Sequence, residues 1–395
     1  MYEFYKGEMQ LNIGMFSDTY LPQKNGVATA IKLYKDEMEK RGHNVYLFVP
    51  KYKFDYKRND DKIFEFPAVK FVFEKEQRIA LPFSPEIFKI KELNLDIIHS
   101  HDPFSMGILA RIVSRMLKLK HVTTHHTMYD YYLHYLPSIV RPQPEFVQKI
   151  IKNWCLKTDK IIAPTDNIKE TLVEYGVPSE HIVTIPTGID LASFDKPINW
   201  DLKKEYPQIK DDDRILLFVG RLGKEKNISF LLKVFKKVLL EETKVKFVIV
   251  GGGPEKEALE ELAMELNIAD NVIFTGSQPR EKVIDAYKQA YLFIFASYTE
   301  TQGLVILESM AAGTPVVALG KLGVYDILSQ EDAGGIMIKD LNEDDFSHEI
   351  LKLLKDLSSY EVLKKKAKIF VKDNYSIEKC VDMILELYKR EILTV

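Results

Sequence analysis

In the stretch FASYTETQGLVILESMAAGTPVVAL, residues 295–319, two carboxylates, Glu300 and Glu308, stand on either side of Gly303. On one continuous helix, eight steps of about 100° would leave them about 80° apart around the axis and about 12 Å apart along it. They could not share a proton. The stretch leaves a buried strand, however, so Glu300 falls in a loop, and the helix carrying Leu304, Leu307, Glu308 and Met310 begins around Gln302 or Gly303. The backbone N–H groups of Gln302, Gly303 and Leu304 can then face an anion, with Gly303 permitting close approach. Glu308, about two turns in, can accept hydrogen bonds from vicinal hydroxyls such as those of a ribose, while Glu300 faces a different polyol. A phosphate group between two polyols describes a sugar nucleotide. The plain alternative is a capping glutamate and an ordinary helical one, and this segment alone leaves both readings standing.

Other constellations point the same way. VGRLGKEKN, residues 219–227, offers Arg221 and Lys226 just before a helix expected from Ile228. Two cations at a strand's carboxyl end, beside a helix N-terminus, make an anion site; the alternative is solvated loop charge. In VIVGGGPEKEAL a dinucleotide fingerprint fails, because Lys256 stands where the last glycine should be. A tight turn beneath a nucleotide, through Gly252, fits better, although a purely structural turn fits each glycine as well. FSDTYLPQKNGVATAI sets Lys24, Asn25 and Gly26 before another helix, where Asn25 is also a good N-cap.

In VTTHHTMYDYYLHY, residues 122–135, His125 and His126 end a strand, so at least one should project as a hydrogen-bonding or acid/base group. A satisfied core histidine is the ordinary alternative. His99 and His101 end a different strand and no helical HxxxH pair exists, so a zinc site does not follow. Tyr129, Tyr131, Tyr132 and Tyr135 can line an apolar or amphipathic acceptor channel, or pack in a core.

These residues need elements to hold them. LNIGMF, NVYLFVP, LDIIHS, HVTTHH, KIIAP and HIVTIPTG are short runs separated by stretches of helical period, and RILLFVGRL, KFVIVGGGP, NVIFTG, YLFIFAS and TPVVAL repeat the pattern. Such alternation implies α/β architecture, with two Rossmann-like, doubly wound domains and ligands at the carboxyl ends of their strands. The boundary is expected near residues 192–212. That gives an N-terminal domain over residues 1–195, a C-terminal one over 196–372, and a terminal helix, 373–395, that can cap the second domain or cross back to the first.

The 395 residues are 46% hydrophobic and carry a formal net charge of -3, which gives no support for a nucleic-acid partner. Cys155 and Cys380 are the only cysteines, so no disulfide framework or cysteine metal site is expected, and a reducing cytoplasm fits. MYEFYKGEMQ has acidic residues where a signal peptide wants positive charge, and no run approaches the roughly eighteen apolar residues of a spanning helix. Contact with a membrane would come from one side. Lys70, Lys75, Arg78, Arg111, Arg115, Lys118 and Lys120 lie among apolar residues and would suit an anionic membrane surface, or simply a solvated face.

Taken together, DTYLPQKNGV, HSHDP, HHT, IPTGID, GRLGKEKN, GGGP and ETQGLVILESMAAGTPVVA resemble the retaining glycosyltransferases of family 4, which have the GT-B fold of two such domains facing a central cleft. The resemblance implies a metal-independent hexosyltransferase without a cofactor. Arg221 and Lys226 would neutralise the donor diphosphate, Glu308 would hold the ribose, and Glu300 with the following backbone would position the donor sugar. His126 matches the active-site histidine, and Gly26 the glycine loop that approaches the diphosphate. After PVVA many members carry a glycine pair and a Glu; LGKLGVYDIL departs from that, and no residue is assigned there. The aromatic run after HHT looks like that of bacterial enzymes that glucosylate 1,2-diacylglycerol from UDP-glucose, with Lys24, Tyr129 and Tyr132 on the acceptor side. Transfer to phosphatidylinositol, a polysaccharide precursor or a soluble sugar keeps the same fold, as do a sugar-nucleotide epimerase and a module that only binds the nucleotide sugar.

Overall fold

The computed structural model describes residues 9–23, 25–52, 60–70, 78–81, 86–135 and 141–394. It divides into two compact units, Met1–Gly188 with Ile377–Val395, and Ile189–Ser376. The division falls at Gly188 and Ser376 rather than at the expected 195 and 372. Ile189 and Phe194 belong to the second unit's core, and Ile189 N–H donates to the Tyr375 carbonyl at 2.7 Å. The helix Leu357–Tyr375 runs unbroken past 372, burying Phe370, Val371 and Tyr375 in that same core.

The first unit is built on β1 (Asn12–Phe16), β2 (Asn44–Pro50), β3 (Ile63–Phe66), β6 (Ile97–Ser100), β7 (His121–Thr124), β8 (Lys160–Ala163) and β9 (Ile182–Thr184), with β4 (Ala68–Lys70) and β5 (Arg78–Ala80) as a separate antiparallel pair. The main sheet is parallel, in the order β3-β2-β1-β6-β7-β8-β9. The second unit has β10 (Arg214–Val219), β11 (Val245–Val250), β12 (Val272–Gly276), β13 (Leu292–Phe295), β14 (Val316–Leu319) and β15 (Gly335–Ile338), also parallel, in the order β12-β11-β10-β13-β14-β15. Strands such as RILLFV and LFIF are apolar nearly throughout because helices cover both faces of each sheet.

In each unit the chain starts at the centre, works outward, and returns to the other side of its first strand. The loops after β1 and β6, and after β10 and β13, therefore diverge over a topological switch point, where open parallel sheets bind ligands. The terminal helix Ile377–Leu393 belongs to the first unit. Val381, Ile384, Leu385 and Tyr388 pack there with Ile31, Tyr34 and Met38, and Arg41 holds the helix through the Glu378 carbonyl at 2.7 Å and an ion pair with Asp382. Among the described residues no helix is long and apolar enough to cross a membrane.

Candidate active site

The second unit gathers the residues expected to hold a nucleotide sugar. The loop after β10 ends in one tight turn, Lys224–Lys226, which Asn227, at φ 52°, caps by donating its backbone N–H to the Lys224 carbonyl at 3.2 Å, while its side-chain amide donates to the Ala296 carbonyl at 2.9 Å. The Tyr298 N–H donates back to the Glu225 carbonyl at 3.2 Å, so this loop and the one after β13 are fastened together. Across that seam Lys226 pairs with Glu300, both largely shielded from solvent. The two were expected in separate roles, on diphosphate and sugar; the structure pairs them with each other. Arg221 stands exposed on the same loop.

Gly303 sits at φ 85°, in the left-handed region, where any other L-residue would be strained; a Cβ there would also lie 3.2 Å from a Val324 methyl. It caps the helix Leu304–Ala311, which begins one residue after the later of the two expected starts, and Gln302 before it is buried. Gly252 lies in the turn after β11, whose carbonyl accepts from the Leu222 N–H at 2.9 Å. A Cβ on Gly252 would meet the Ser277 hydroxyl at 2.6 Å, so any larger residue there would require that hydroxyl to turn away.

Glu308 projects from that helix into a buried position, where one carboxylate oxygen accepts from the Arg280 guanidinium at 2.5 Å and the other from the Tyr287 hydroxyl at 3.1 Å. Burial and the charge of Glu308 push the Tyr287 hydroxyl well above the usual phenol range, which keeps it a donor. Sequence reasoning missed this pair. Arg280 and Tyr287 are seven apart on the helix Arg280–Gln289, hence on one face, and that spacing was a usable signal. Also missed was Gly323 in the unassigned LGKLGVYDIL: its N–H donates to the Glu300 carbonyl at 3.1 Å, which steadies the Glu300 loop from the far side.

The first unit carries the other expected residues. His126, half-buried after β7, has its Nε2 3.0 Å from Nδ1 of His101, and His101 lies in turn against His99, its ring tilted by 35° with centroids 4.2 Å apart. Burial pushes the His126 imidazole down to about 3, and His125 beside it adds to the shift. It is therefore neutral at physiological pH, where it can donate or accept a hydrogen bond without carrying charge. Burial holds His99, His101 and His125 neutral as well. Among the described residues no three His, Cys, Asp or Glu side chains gather as metal ligands.

Tyr129 is half-buried, edge-on to Phe104 at 5.0 Å and to His125 at 6.0 Å, and hydrogen-bonded to Asp102. Gly26 opens the helix Gly26–Lys40, and Asn25 caps it by accepting from the Ala28 N–H at 2.8 Å. Lys24, the side chain of Tyr132, and Lys75 lie outside the described residues. Of the other cations, Lys120 is paired with Asp159 at 3.2 Å, while Arg111, Arg115 and Lys118 lie on the helix Ser105–Leu117 or at its end.

Two carboxylates that the motifs FSDTY and HSHDP contain, Asp18 and Asp102, meet at the first switch point. Asp102 accepts from the Ser17 hydroxyl at 2.7 Å and the Asp18 N–H at 3.0 Å, and Asp18 accepts from the Met106 N–H at 3.0 Å, capping the helix Ser105–Leu117. Burial, then the charge of Asp102, raises the Asp18 carboxyl to about 7. Between the unfolded value near 3.8 and the raised folded value the Asp18–Asp102 pair holds an extra proton, so stability falls as pH rises through that window. Asp18→Asn is expected to flatten this slope. Urea unfolding at pH 5, 6 and 8, followed by Trp154 emission with Trp200 replaced by Phe, checks it; an unchanged slope would show that Asp18 does not carry the proton.

Comparison with known proteins identifies the family. The family profile described as Glycosyltransferase Family 4 matches residues 24–193, and that described as Glycosyl transferases group 1 matches residues 201–370. The chain is 40% identical over 331 residues to the alpha-monoglucosyldiacylglycerol synthase of Streptococcus pneumoniae, covering 82% of this chain and 75% of that protein. It is 29% identical over 394 residues to the alpha-monoglucosyldiacylglycerol synthase of Acholeplasma laidlawii, covering 95% and 97%. Among solved structures, Anabaena HepE in complex with UDP and glucose matches with a TM-score of 0.75 at 15% identity, over 96% of this chain and 100% of that one. With a family profile on each parallel-sheet unit and that degree of identity to the pneumococcal synthase, the chain belongs to the family 4 glycosyltransferases of GT-B fold.

Proposed function

We propose that the chain is a retaining, metal-independent hexosyltransferase that moves glucose from UDP-glucose to the free hydroxyl of 1,2-diacylglycerol, giving an α-monoglucosyl lipid at an anionic membrane surface. The observation that carries this reading is the 40% identity to the pneumococcal monoglucosyldiacylglycerol synthase over most of both chains. The donor site supports it, since cations, a left-handed glycine and two spaced glutamates suit a sugar, a diphosphate and a ribose in series. Arg221, Lys226 and the start of the helix Leu304–Ala311 stabilise the charge that builds on the departing diphosphate. The bond from the sugar's anomeric carbon to the phosphate oxygen breaks while that carbon bonds the acceptor oxygen on the same face. The acceptor's proton passes to the leaving phosphate, and UDP departs.

The test is a panel of UDP- and GDP-sugars offered with diacylglycerol in anionic vesicles, with and without EDTA, the product linkage being read by NMR. The expected result is an EDTA-insensitive α-glucoside formed from UDP-glucose. A β-linkage would overturn retention, turnover of soluble acceptors alone would overturn the lipid assignment, and a donor altered without any acceptor would indicate an epimerase.

A further inference from the structure

Behind His126 lie two further histidines, from the end of β6. His99 is held between the Tyr388 hydroxyl, 2.5 Å from its Nδ1, and the Thr124 hydroxyl, 2.7 Å from its Nε2. His101 is wholly buried, and its backbone N–H donates to the Phe16 carbonyl at 2.9 Å. Its ring lies against His99 and beside Tyr34, whose hydroxyl is 3.3 Å from that of Thr187. These neighbours fix the plane of the ring. Among the described residues the ring makes one hydrogen bond, through Nδ1, 3.0 Å from Nε2 of His126, while its own Nε2 is buried without a partner. Burial and the surrounding imidazoles depress His99 and His101, and no carboxylate acts against that. Both rings are neutral.

A neutral imidazole offers one N–H and one lone pair, so at 3.0 Å one of these two rings donates to the other. Were His126 the donor, His101 would accept at Nδ1 and carry its own proton on Nε2, as a buried N–H with no acceptor. Were His101 the donor, only a lone pair on its Nε2 would go unmet, and in folded chains an unmet acceptor is less rare than an unmet N–H. We propose that His101 is a positioning residue, which donates from Nδ1 to Nε2 of His126, turns that ring to one orientation and keeps the His126 proton on Nδ1. The proposal rests on the reading of His126 as the active-site histidine and adds the tautomer in which it works. In that tautomer His126 presents an N–H to an oxygen of the sugar or the acceptor. Its one lone pair is taken up by His101, so it does not serve as the base, in keeping with a departing phosphate that takes the acceptor's proton.

The test is a long-range proton–nitrogen NMR spectrum of the full chain labelled with ¹⁵N in its histidine rings, in which a protonated and a bare ring nitrogen resonate far apart. The His126 signals are assigned by their loss in His126→Gln. At neutral pH the parent is expected to show the His126 proton on Nδ1, and His101→Phe, which keeps a ring but has no donor, to release it into a mixture of tautomers. His101→Phe should lower kcat for sugar transfer about tenfold, the scale of one lost hydrogen bond, with the donor KM little changed. His101→Asn, whose amide N–H stands close to where Nδ1 was, should restore both the tautomer and most of the rate. A His126 proton on Nε2 in the parent, a tautomer unmoved by His101→Phe, or His101→Asn as slow as His101→Phe would each overturn the proposal. The parent spectrum needs no variant, so the tautomer is decided even where His101→Phe fails to fold. Near-normal transfer by His126→Gln overturns the active-site reading of His126, and the positioning role with it, whatever the tautomer. A proton on Nε2 with transfer lost in His126→Gln overturns the proposal and leaves that reading intact.

Discussion

Lys226→Ala and Glu300→Ala are each expected to lower sugar transfer by about a hundredfold or more, the scale of losing one preorganised charge-stabilising group. The ion pair between them makes the two losses unequal in kind. Lys226→Ala removes a cation from the proposed diphosphate position and also leaves the Glu300 carboxylate uncompensated, where it repels the incoming anion. Its donor KM should rise along with the fall in kcat. Glu300→Ala leaves the cation, so donor affinity should hold better while kcat falls, because the sugar is no longer oriented. Adding Glu300→Ala to Lys226→Ala should then recover part of the donor KM, and the two effects should fall short of additive. Steady-state kinetics on the two single variants and the double variant decide this. Near-normal rates in both single variants would sink the site assignment, and strict additivity would sink the coupling.

The pair also shows where sequence reasoning stops. Periodicity could place Glu300 in a loop after a buried strand and Lys226 just before Ile228, because both follow from local runs of residues. Nothing local says that β10 and β13 are neighbours while β11 and β12 lie to the other side. That order brings Lys226 onto Glu300, and it is set by how helices cover the sheet. Asp18 and Asp102 were passed over for the same reason: each looks like loop charge until β1 and β6 are paired. The terminal helix was legible as an amphipathic segment from its pattern, but its start at Ile377 depends on Leu357–Tyr375 continuing into the second core. Arg280 was missed for a different reason, although it shares a helix face with Tyr287. It opens a helix among Glu281, Lys282 and Lys288, where a surface cation is the ordinary expectation, and only the buried Glu308 opposite makes it part of a site.

Glu308→Gln separates the two jobs that this carboxylate holds. Removing a partner from a fully buried pair costs about 3–5 kcal/mol. The Arg280 side chain retains 39% exposure and can recover water, so here the loss should be nearer about 2 kcal/mol. Gln keeps an oxygen for Arg280 or the Tyr287 hydroxyl but turns a donor toward the other, so the cluster loosens without emptying. Binding should suffer more than stability. A ribose hydroxyl donating to an ionised carboxylate forms a charge-assisted bond worth about 1.5–3 kcal/mol, and the neutral amide offers a weaker acceptor. UDP affinity is therefore expected to drop about tenfold or more in Glu308→Gln. The sharper readout is discrimination: the parent should prefer UDP to 2′-deoxy-UDP, and the variant should lose most of that preference, because the hydroxyl being tested no longer meets a charge. Calorimetric titration of both ligands into both chains, with thermal melts alongside, makes the comparison. If the variant melts lower yet keeps the parent's ratio of UDP to 2′-deoxy-UDP affinity, Glu308 serves only to anchor Arg280 and Tyr287, and the ribose must be held by another group.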